Sequence, residues 1–437
     1  MRGRSTILFG FLAVIAAGAI ALASPWARVA GAWGDWSDAA FTACSAVCVT
    51  GLSVVEIGRE YSIAGQTVLI VLVEIGALGL MALGTFFLVA IGRRLSYASE
   101  FSLMNAYGVA EIRGVRGLVL WILGSMMVIE SVCAGLLYYR FHDWYVSIFY
   151  SVMSFCNAGF SIFPESLARF ASDPFVLLVL AAETVLGGIG FLVIYNICTF
   201  KFLRRKSGAK GRLSLHSSVV LRFSLYLTAI AFAAFLLLEW NGALKGFDWP
   251  QKLWVGFYQA VTPRSCGFAV IPLESMRDST LELYEWLMLI GGAPGSVAGG
   301  MKVTTFAVLI YTLLAMCRGE QETVISHRVV SSDVVRESIV IVVAVFLFAD
   351  LTYILLSPIE TASAQNSFRL YFEVISAITT TGLSIGNTTS ELTKAGRLVI
   401  MAAMLVGRLG ALTNVMMIGP RESRRHVRYP SEELVVG

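Results

Sequence analysis

Charge is scarce in this chain of 437 residues. Only 14% are Asp, Glu, Lys or Arg, while 57% are hydrophobic; soluble domains carry about 25% charged residues. Mean hydropathy is +0.75. A water-soluble globule of this composition could not cover its own surface, and a disordered chain needs the opposite balance. Cysteine is sparse and unpatterned. Cys44, Cys48, Cys133, Cys156, Cys198, Cys266 and Cys317 are odd in number and contain no C-x-x-C, which excludes a secreted disulfide scaffold. Cys44 and Cys48, at i and i+4, read as small buried residues rather than a metal or redox pair. The four histidines, His142, His216, His327 and His426, are too dispersed for a metal set or a Ser/His/Asp arrangement. No enzyme is expected. Net charge is +4, so nucleic acid is not a partner and the basic residues serve better as topology markers.

What the chain does have is long apolar runs. A spanning helix needs about 20 mostly apolar residues. Eight stretches qualify, roughly 6–28, 64–92, 116–140, 174–203, 217–240, 280–316, 336–358 and 395–418. Four shorter segments, at 35–49, 142–156, 249–264 and 367–380, lie between the members of each pair. Helices of that length reach only about 20 Å, so they are expected to enter the membrane and return. Twenty of the 33 Lys and Arg residues lie at the N-terminus, in 93–116, 201–222 and 318–336, and in the tail from Arg421; 11 surround the short segments. The positive-inside rule then places both termini and the inter-pair loops in the cytoplasm, in a multi-pass protein of the plasma membrane. The run Ile7–Ala23, behind Arg2 and Arg4, resembles a secretory signal with Ala21-Leu22-Ala23 at its end. The pairing of spans favours a retained first helix.

Just after each short segment the chain repeats itself. It reads Thr50-Gly51-Leu52-Ser53, Ala158-Gly159-Phe160-Ser161, Cys266-Gly267-Phe268-Ala269 and Thr381-Gly382-Leu383-Ser384, with glycines 108, 108 and 115 residues apart. A second landmark follows in the next helix: Gly76/Gly79, Gly187/Gly190, Gly291/Pro294 and Gly407/Gly410. Glycines pack membrane helices generally, but that does not put four in register. The expected repeats are 1–95 (pore loop 35–55), 96–206 (142–163), 207–320 (249–271) and 321–420 (367–386), with a tail at 421–437. Each has two spans, so all share one orientation. The fold class is therefore an all-α integral membrane protein: four parallel helix, re-entrant loop, helix repeats around a central pore with pseudo-fourfold symmetry.

This geometry suits a cation. Non-helical backbone at membrane depth is tolerated where it lines a wet cavity, and a ring of carbonyls replaces the hydration shell of a monovalent ion. Glycine reaches φ > 0 and brings no side chain into the lumen. The short helices end at the loops, where their partial negative charge favours a cation.

These four loops, together with Gly291-Gly292-Ala293-Pro294-Gly295-Ser296-Val297-Ala298-Gly299-Gly300-Met301-Lys302, resemble the Trk/Ktr/HKT potassium transporter superfamily across essentially the whole chain. Eight spans without an extra helix pair are most similar to its KtrB-type membrane subunit. The resemblance implies that Gly51, Gly159, Gly267 and Gly382 are selectivity-filter glycines. Thr50, Asn157, Ala158, Ser265, Cys266 and Thr381 would flank them, with potassium at the carbonyls of 50–51, 158–159, 266–267 and 381–382. Plant sodium carriers of the family often have Ser at the first of these, so Gly51 implies potassium. Arg264-Ser265-Cys266-Gly267-Phe268-Ala269 departs from the usual R-T-A-G-F-N, and Ser161 stands where an acid is common.

Five glycines and a proline within 291–300 cannot remain a continuous helix, and the resemblance implies that the break at 291–302, with Gly291, Gly292, Pro294, Gly295, Ser296, Gly299 and Gly300, is a gate below the filter. A phosphate loop would need Lys at Met301 instead. Lys302 and Arg408 lie beside this gate, and Arg408 would project into the pore as a positive barrier. Further implications are a homodimer, a bacterial inner-membrane location and a cytosolic nucleotide-binding ring of RCK domains, like KtrA. That ring would dock near 201–216, 318–336 and the tail. Sodium would act as an activator, or be the carried ion in a sodium-selective or weakly selective alternative. The intramembrane acids Glu74, Glu130, Glu183, Glu285 and Asp350 read as dispersed structural groups, and Asp35, Asp38, Asp143 and Asp248 as helix caps.

Overall fold

The computed structural model describes residues 2–79, 115–198, 213–360 and 366–410. Its helices come in four successive sets, each with a first helix, a short helix and a second helix. The first set is Arg2–Ala23, Trp36–Val47 and Ile63–Leu78; the second is Val115–Phe141, Trp144–Phe155 and Pro174–Ile189. The third is Leu215–Glu239, Trp249–Val261 and a second helix in two parts, Asp278–Leu289 and Val303–Cys317. The fourth is Ser332–Leu356, Ser367–Ile378 and Lys394–Leu409. A small hairpin pairs Val324–Ile325 with Arg328–Val329 between the third and fourth sets.

The start of every short helix is written in the sequence. Asp35 accepts from Ser37 N at 2.7 Å, Asp143 from Tyr145 N at 2.8 Å, and Asn366 from Phe368 N at 3.2 Å. Asp248 and Gln251 form a capping box. The first residues Trp36, Trp144 and Trp249 are all exposed, as in the aromatic belt at a membrane interface. Burial is otherwise inverted relative to a soluble protein. From Phe372 to Ile378 the fourth short helix is wholly buried, while the long first helices expose Met127, Val132, Leu225, Leu237, Leu347 and Ile354. An apolar exterior of this extent fits lipid, not water. Among the described residues, Leu120–Phe141, Leu215–Glu239 and Ser332–Leu356 are long and apolar enough to cross a membrane. A bent pair, Pro174–Ile189 with Phe191–Cys198, passes the same test as one span.

That pair corrects the expectation of a continuous helix over 174–203. The chain turns by 98° at this break. Gly190 has φ +88°, and Phe191 N donates not to its own helix but to Gly295 O at 3.1 Å. The second helices of the first and fourth sets likewise end at Gly79 (φ +74°) and Gly410 (φ +85°). The remainder of the spans placed at 64–92 and 395–418 falls outside the described residues. The expected break at 291–302 is present: helix stops at Leu289 and resumes at Val303.

Ion pairs join one set to another, and glycines close each set on itself. Arg397 pairs with Asp38, and Lys394 with Asp35 at 3.1 Å, tying the fourth second helix to the first short helix. The Ser37 amide and the Lys394 ammonium hold the Asp35 carboxyl below its usual range. Deeper, Gly76, Gly187 and Gly407 let each second helix touch the end of its own short helix. An ideal Cβ on them would strike the carbonyl oxygens of Val47, Phe155 and Ile378, each the last residue of that short helix. Adjacent residues supply a control, because a Cβ on Gly188 would meet only Asn157 Nδ2 at 3.8 Å. Gly187→Ala is expected to lower the thermal unfolding midpoint in detergent clearly. Gly188→Ala should be neutral or stabilising by up to about 1 kcal/mol, the helix-propensity difference. Equal effects would contradict the close-approach role.

Candidate ion pathway

Each short helix ends in a turn that aims the following strand inward. The residue two before each loop glycine is forced to positive φ: Val49 at +56°, Asn157 at +58°, Ser265 at +130° and Thr380 at +50°. Such values are strained in residues other than glycine. They are held by the next amide, which donates back into the short helix: Thr50 N to Ser45 O at 2.8 Å, Ala158 N to Met153 O at 2.8 Å, and Thr381 N to Ser376 O at 2.9 Å. In the third set the acceptor is Thr262 O, at 2.9 Å from Cys266 N and one residue nearer, because a tight turn at Thr262–Arg264 shortens the path.

The loops then meet head to tail. Gly51, Gly159, Gly267 and Gly382 have φ of +94°, +66°, +81° and +86°. An ideal Cβ on Gly51 would collide with Ala158 O; one on Gly159 would lie 2.8 Å from Cys266 O. One on Gly267 would strike Thr381 O, and one on Gly382 would strike Thr50 O. The ring closes in the order first, second, third, fourth, first. Thr50, Ala158, Cys266 and Thr381 are each 0% exposed. Among the described residues no hydrogen-bond donor reaches their carbonyl oxygens. Buried carbonyls are almost always paired, with protein groups or ordered water, so four on one ring without a protein donor single out this place as a candidate binding position. The ring opens on one side into a mouth of about 260 Å³ lined by the four glycines, Ser53, Ser161 and Ser384.

The broken helix of the third set lies on the other side. Gly299 N donates to Ser265 Oγ at 3.1 Å, and a Cβ on Gly299 would strike Thr379 O and Thr380 Oγ1. Ala293 N donates to Gly188 O at 2.9 Å, and Gly190 faces Pro294 O. Within the segment, Gly291 N donates to Met301 O at 2.9 Å, and Val303 N to Gly292 O at 2.9 Å. Gly291 and Gly300 close to within backbone contact, and Ser296 Oγ donates to Ala293 O at 2.6 Å. Lys302 Nζ donates to Ala298 O at 2.7 Å. Arg408 Nη1 donates to Val297 O at 2.7 Å while its Nη2 reaches Gly76 O. Every residue singled out for filter and gate is thus brought into one neighbourhood.

A model of the family described as TrkH, cation transport protein, matches residues 12–425. The chain belongs to this family. It is 34% identical over 440 residues to the Ktr system potassium uptake protein B of Bacillus subtilis, spanning 99% of this chain and 96% of that one. It is 33% identical to the protein of the same name from Vibrio alginolyticus, over 99% and 94% of the two chains. It is 32% identical to the potassium/sodium uptake protein NtpJ of Enterococcus hirae, over 99% and 96%. The fold matches the crystal structure of the potassium transporter TrkH from Vibrio parahaemolyticus with a TM-score of 0.76 at 16% identity, covering 96% of this chain and 85% of that one. A TrkH-family chain is a multi-pass membrane transporter and not an enzyme.

Sequence reasoning overlooked the braces behind the loops. Ser45 and Ser376, six residues before Gly51 and Gly382, accept from those glycines' amides through Oγ, each at 3.1 Å. Tyr150 hydroxyl meets Ser161 Oγ at 2.6 Å; Glu373 accepts from Ser384 at 2.8 Å and from Thr389. Tyr150 and Glu373 both stand nine residues before their glycine. A buried polar residue at that fixed offset was the available signal. The acids were also not all dispersed: Glu74, Glu130 and Cys156 bring ligand-type atoms within 4.8 Å of one another behind the second short helix. Gly382→Ala is expected to abolish a stable ring, since the new Cβ meets backbone and φ is +86°. Gly79→Ala, with φ +74° and ψ 139° but nothing within 4 Å, should cost only the backbone strain of about 1–3 kcal/mol. Thermal unfolding in detergent separates them; equal losses would contradict the close-packed ring.

Proposed function

We propose that the chain is the ion-translocating subunit for potassium uptake, conducting through the ring at Gly51, Gly159, Gly267 and Gly382. The observation that carries this reading is the set of four buried carbonyls, of Thr50, Ala158, Cys266 and Thr381, that no donor reaches. Potassium binds there by exchanging water oxygens for carbonyl oxygens. The φ > 0 glycines keep the lumen free of side chains. The short helices direct their carbonyl ends at the same axis, and their dipoles lower the energy of a cation there.

The four sets form four parallel repeats with eight spans around one pseudo-fourfold axis, both termini in the cytoplasm. The segment 291–302 is the gate and occupies the path below the filter. Arg408 adds a positive barrier and, through Val297 O, anchors the gate in place. The membrane subunit works as a homodimer, and a separate RCK-type ring regulates it with nucleotide. That ring docks on the 318–336 hairpin region, on 201–216 and on the tail, of which 201–212 and the tail lie outside the described residues. The names of the Bacillus and Vibrio relatives support potassium as cargo. The name of the Enterococcus relative, which includes sodium, makes sodium the ion to compete against.

Rubidium uptake into proteoliposomes tests this. Uptake is expected to resist excess sodium in the native chain and to fall sharply in Gly51→Ser, whose new Cβ would meet the Ala158 carbonyl on the ring. Arg408→Ala is expected to raise the maximal rate severalfold by removing both barrier and anchor. Uptake abolished equally by sodium and potassium, together with an unchanged rate in Arg408→Ala, would overturn the reading.

A further inference from the structure

The third filter loop is held differently from the first and fourth, and its hydroxyl reaches the broken helix. In the first and fourth sets the filter glycine's amide is braced from behind by Ser45 and Ser376. Six residues before Gly159 and Gly267 stand Met153 and Val261, neither of which has a hydroxyl. Thr262 Oγ1 donates further along, to Phe268 O. The hydroxyl of the third loop, on Ser265, faces the other way and accepts from Gly299 N in the 291–302 segment at 3.1 Å. Ser265 is also the most distorted of the four residues at this position, with φ +130°. Next to it, Arg264 Nη2 points at Gly291 O at 3.5 Å. Its Nη1 donates to Ser224 O and Thr228 Oγ1, each at 3.2 Å, on the first helix of the third set. Consecutive residues of one filter loop therefore touch both ends of the glycine-rich break.

We propose that Ser265 and Arg264 are positioning residues that latch the 291–299 segment to the third filter loop, so that releasing the segment relaxes the Cys266 carbonyl. The inference rests on reading that segment as the gate. With the gate closed, Gly299 N–H supplies the partner that holds Ser265 at a strained φ, and Cys266 O is fixed on the ring. When the segment leaves, Ser265 loses its partner and the strain is no longer opposed. Filter affinity and gate position then change together. A gate anchored only by Arg408 would open without altering the filter.

The test uses two readouts on the full chain in lipid. Hydrogen exchange of peptides covering 291–301 and 264–268 reports the latch itself, whether or not ions move. Ser265→Ala and Ser265→Gly both remove the hydroxyl, and the glycine variant adds no strain at positive φ. Both are expected to speed exchange in the two segments about three- to tenfold, the loss of one buried hydrogen bond. Ser265→Thr, which keeps the hydroxyl, should exchange like the native chain. Arg264→Lys, which loses the forked contact, should speed exchange at the 291 end. Rubidium uptake reports the coupling: Ser265→Gly should raise both the maximal rate and KM severalfold. Unchanged exchange in Ser265→Ala and Ser265→Gly overturns the latch. Faster exchange with a raised rate but native KM overturns the coupling. If the native chain carries no rubidium, the reading of the gate fails, and the exchange data still decide whether the latch exists.

Discussion

The structure turns on four backbone carbonyls that are buried and left without donors. In most folds such groups would be paired inside a helix or sheet, because an unmade hydrogen bond at a buried site costs about 1–3 kcal/mol each. Here the carbonyls of Thr50, Ala158, Cys266 and Thr381 are set on a ring. Their own amides are spent on the short helices behind them. The short helices are buried so that they end at the ring. The second helices carry Gly76, Gly187 and Gly407 so that they approach those ends closely. Hydrophobic side chains pack around the short helices in the interior, and the further apolar side chains on the exterior of the long first helices suit lipid.

The ring is fourfold in backbone but not in chemistry, and the departures concentrate in the third and fourth sets. Three second helices leave the ring at a left-handed glycine, Gly79, Gly190 or Gly410. The third unwinds over 290–302 and lies against Ser265, Thr379 and Thr380. Arg408, from the fourth, stands where the equivalent first, second and third positions are Ala77, Gly188 and Gly292. Its guanidinium bridges the first set, at Gly76 O, to the broken helix of the third, at Val297 O. One chain thus builds a ring of four similar loops and, beside it, one segment without a counterpart in the other three sets. That is possible because the repeats are covalently joined and free to diverge.

Much of this was legible in the sequence. Composition gave the membrane, glycine spacing gave the loops, and five glycines with a proline gave the break. Asp35, Asp143 and Asp248 were readable as caps because capping is local. What escaped was set by contacts between segments far apart in the chain. The bend at Gly190 depends on Gly295 O, over 100 residues away, so an apolar run at 174–203 could only look straight. The gathering of Glu74, Glu130 and Cys156 likewise needs two different helices and the end of a third. The flanking residues were read off register: Asn157 and Ser265 sit two before their glycines, and their counterparts are Val49 and Thr380. Val49 offered no polar clue, and only the shared positive φ reveals it.

The central claim is that the four unpaired carbonyls bind a dehydrated monovalent cation. Anomalous scattering from crystals grown in rubidium addresses it directly. The account expects a peak on the axis of the ring, within coordination distance of Thr50, Ala158, Cys266 and Thr381 carbonyl oxygens, weakened by added potassium but not by lithium. Rubidium density confined to the outer mouth or to the acids near Glu74 and Glu130, with none at the ring, would contradict it.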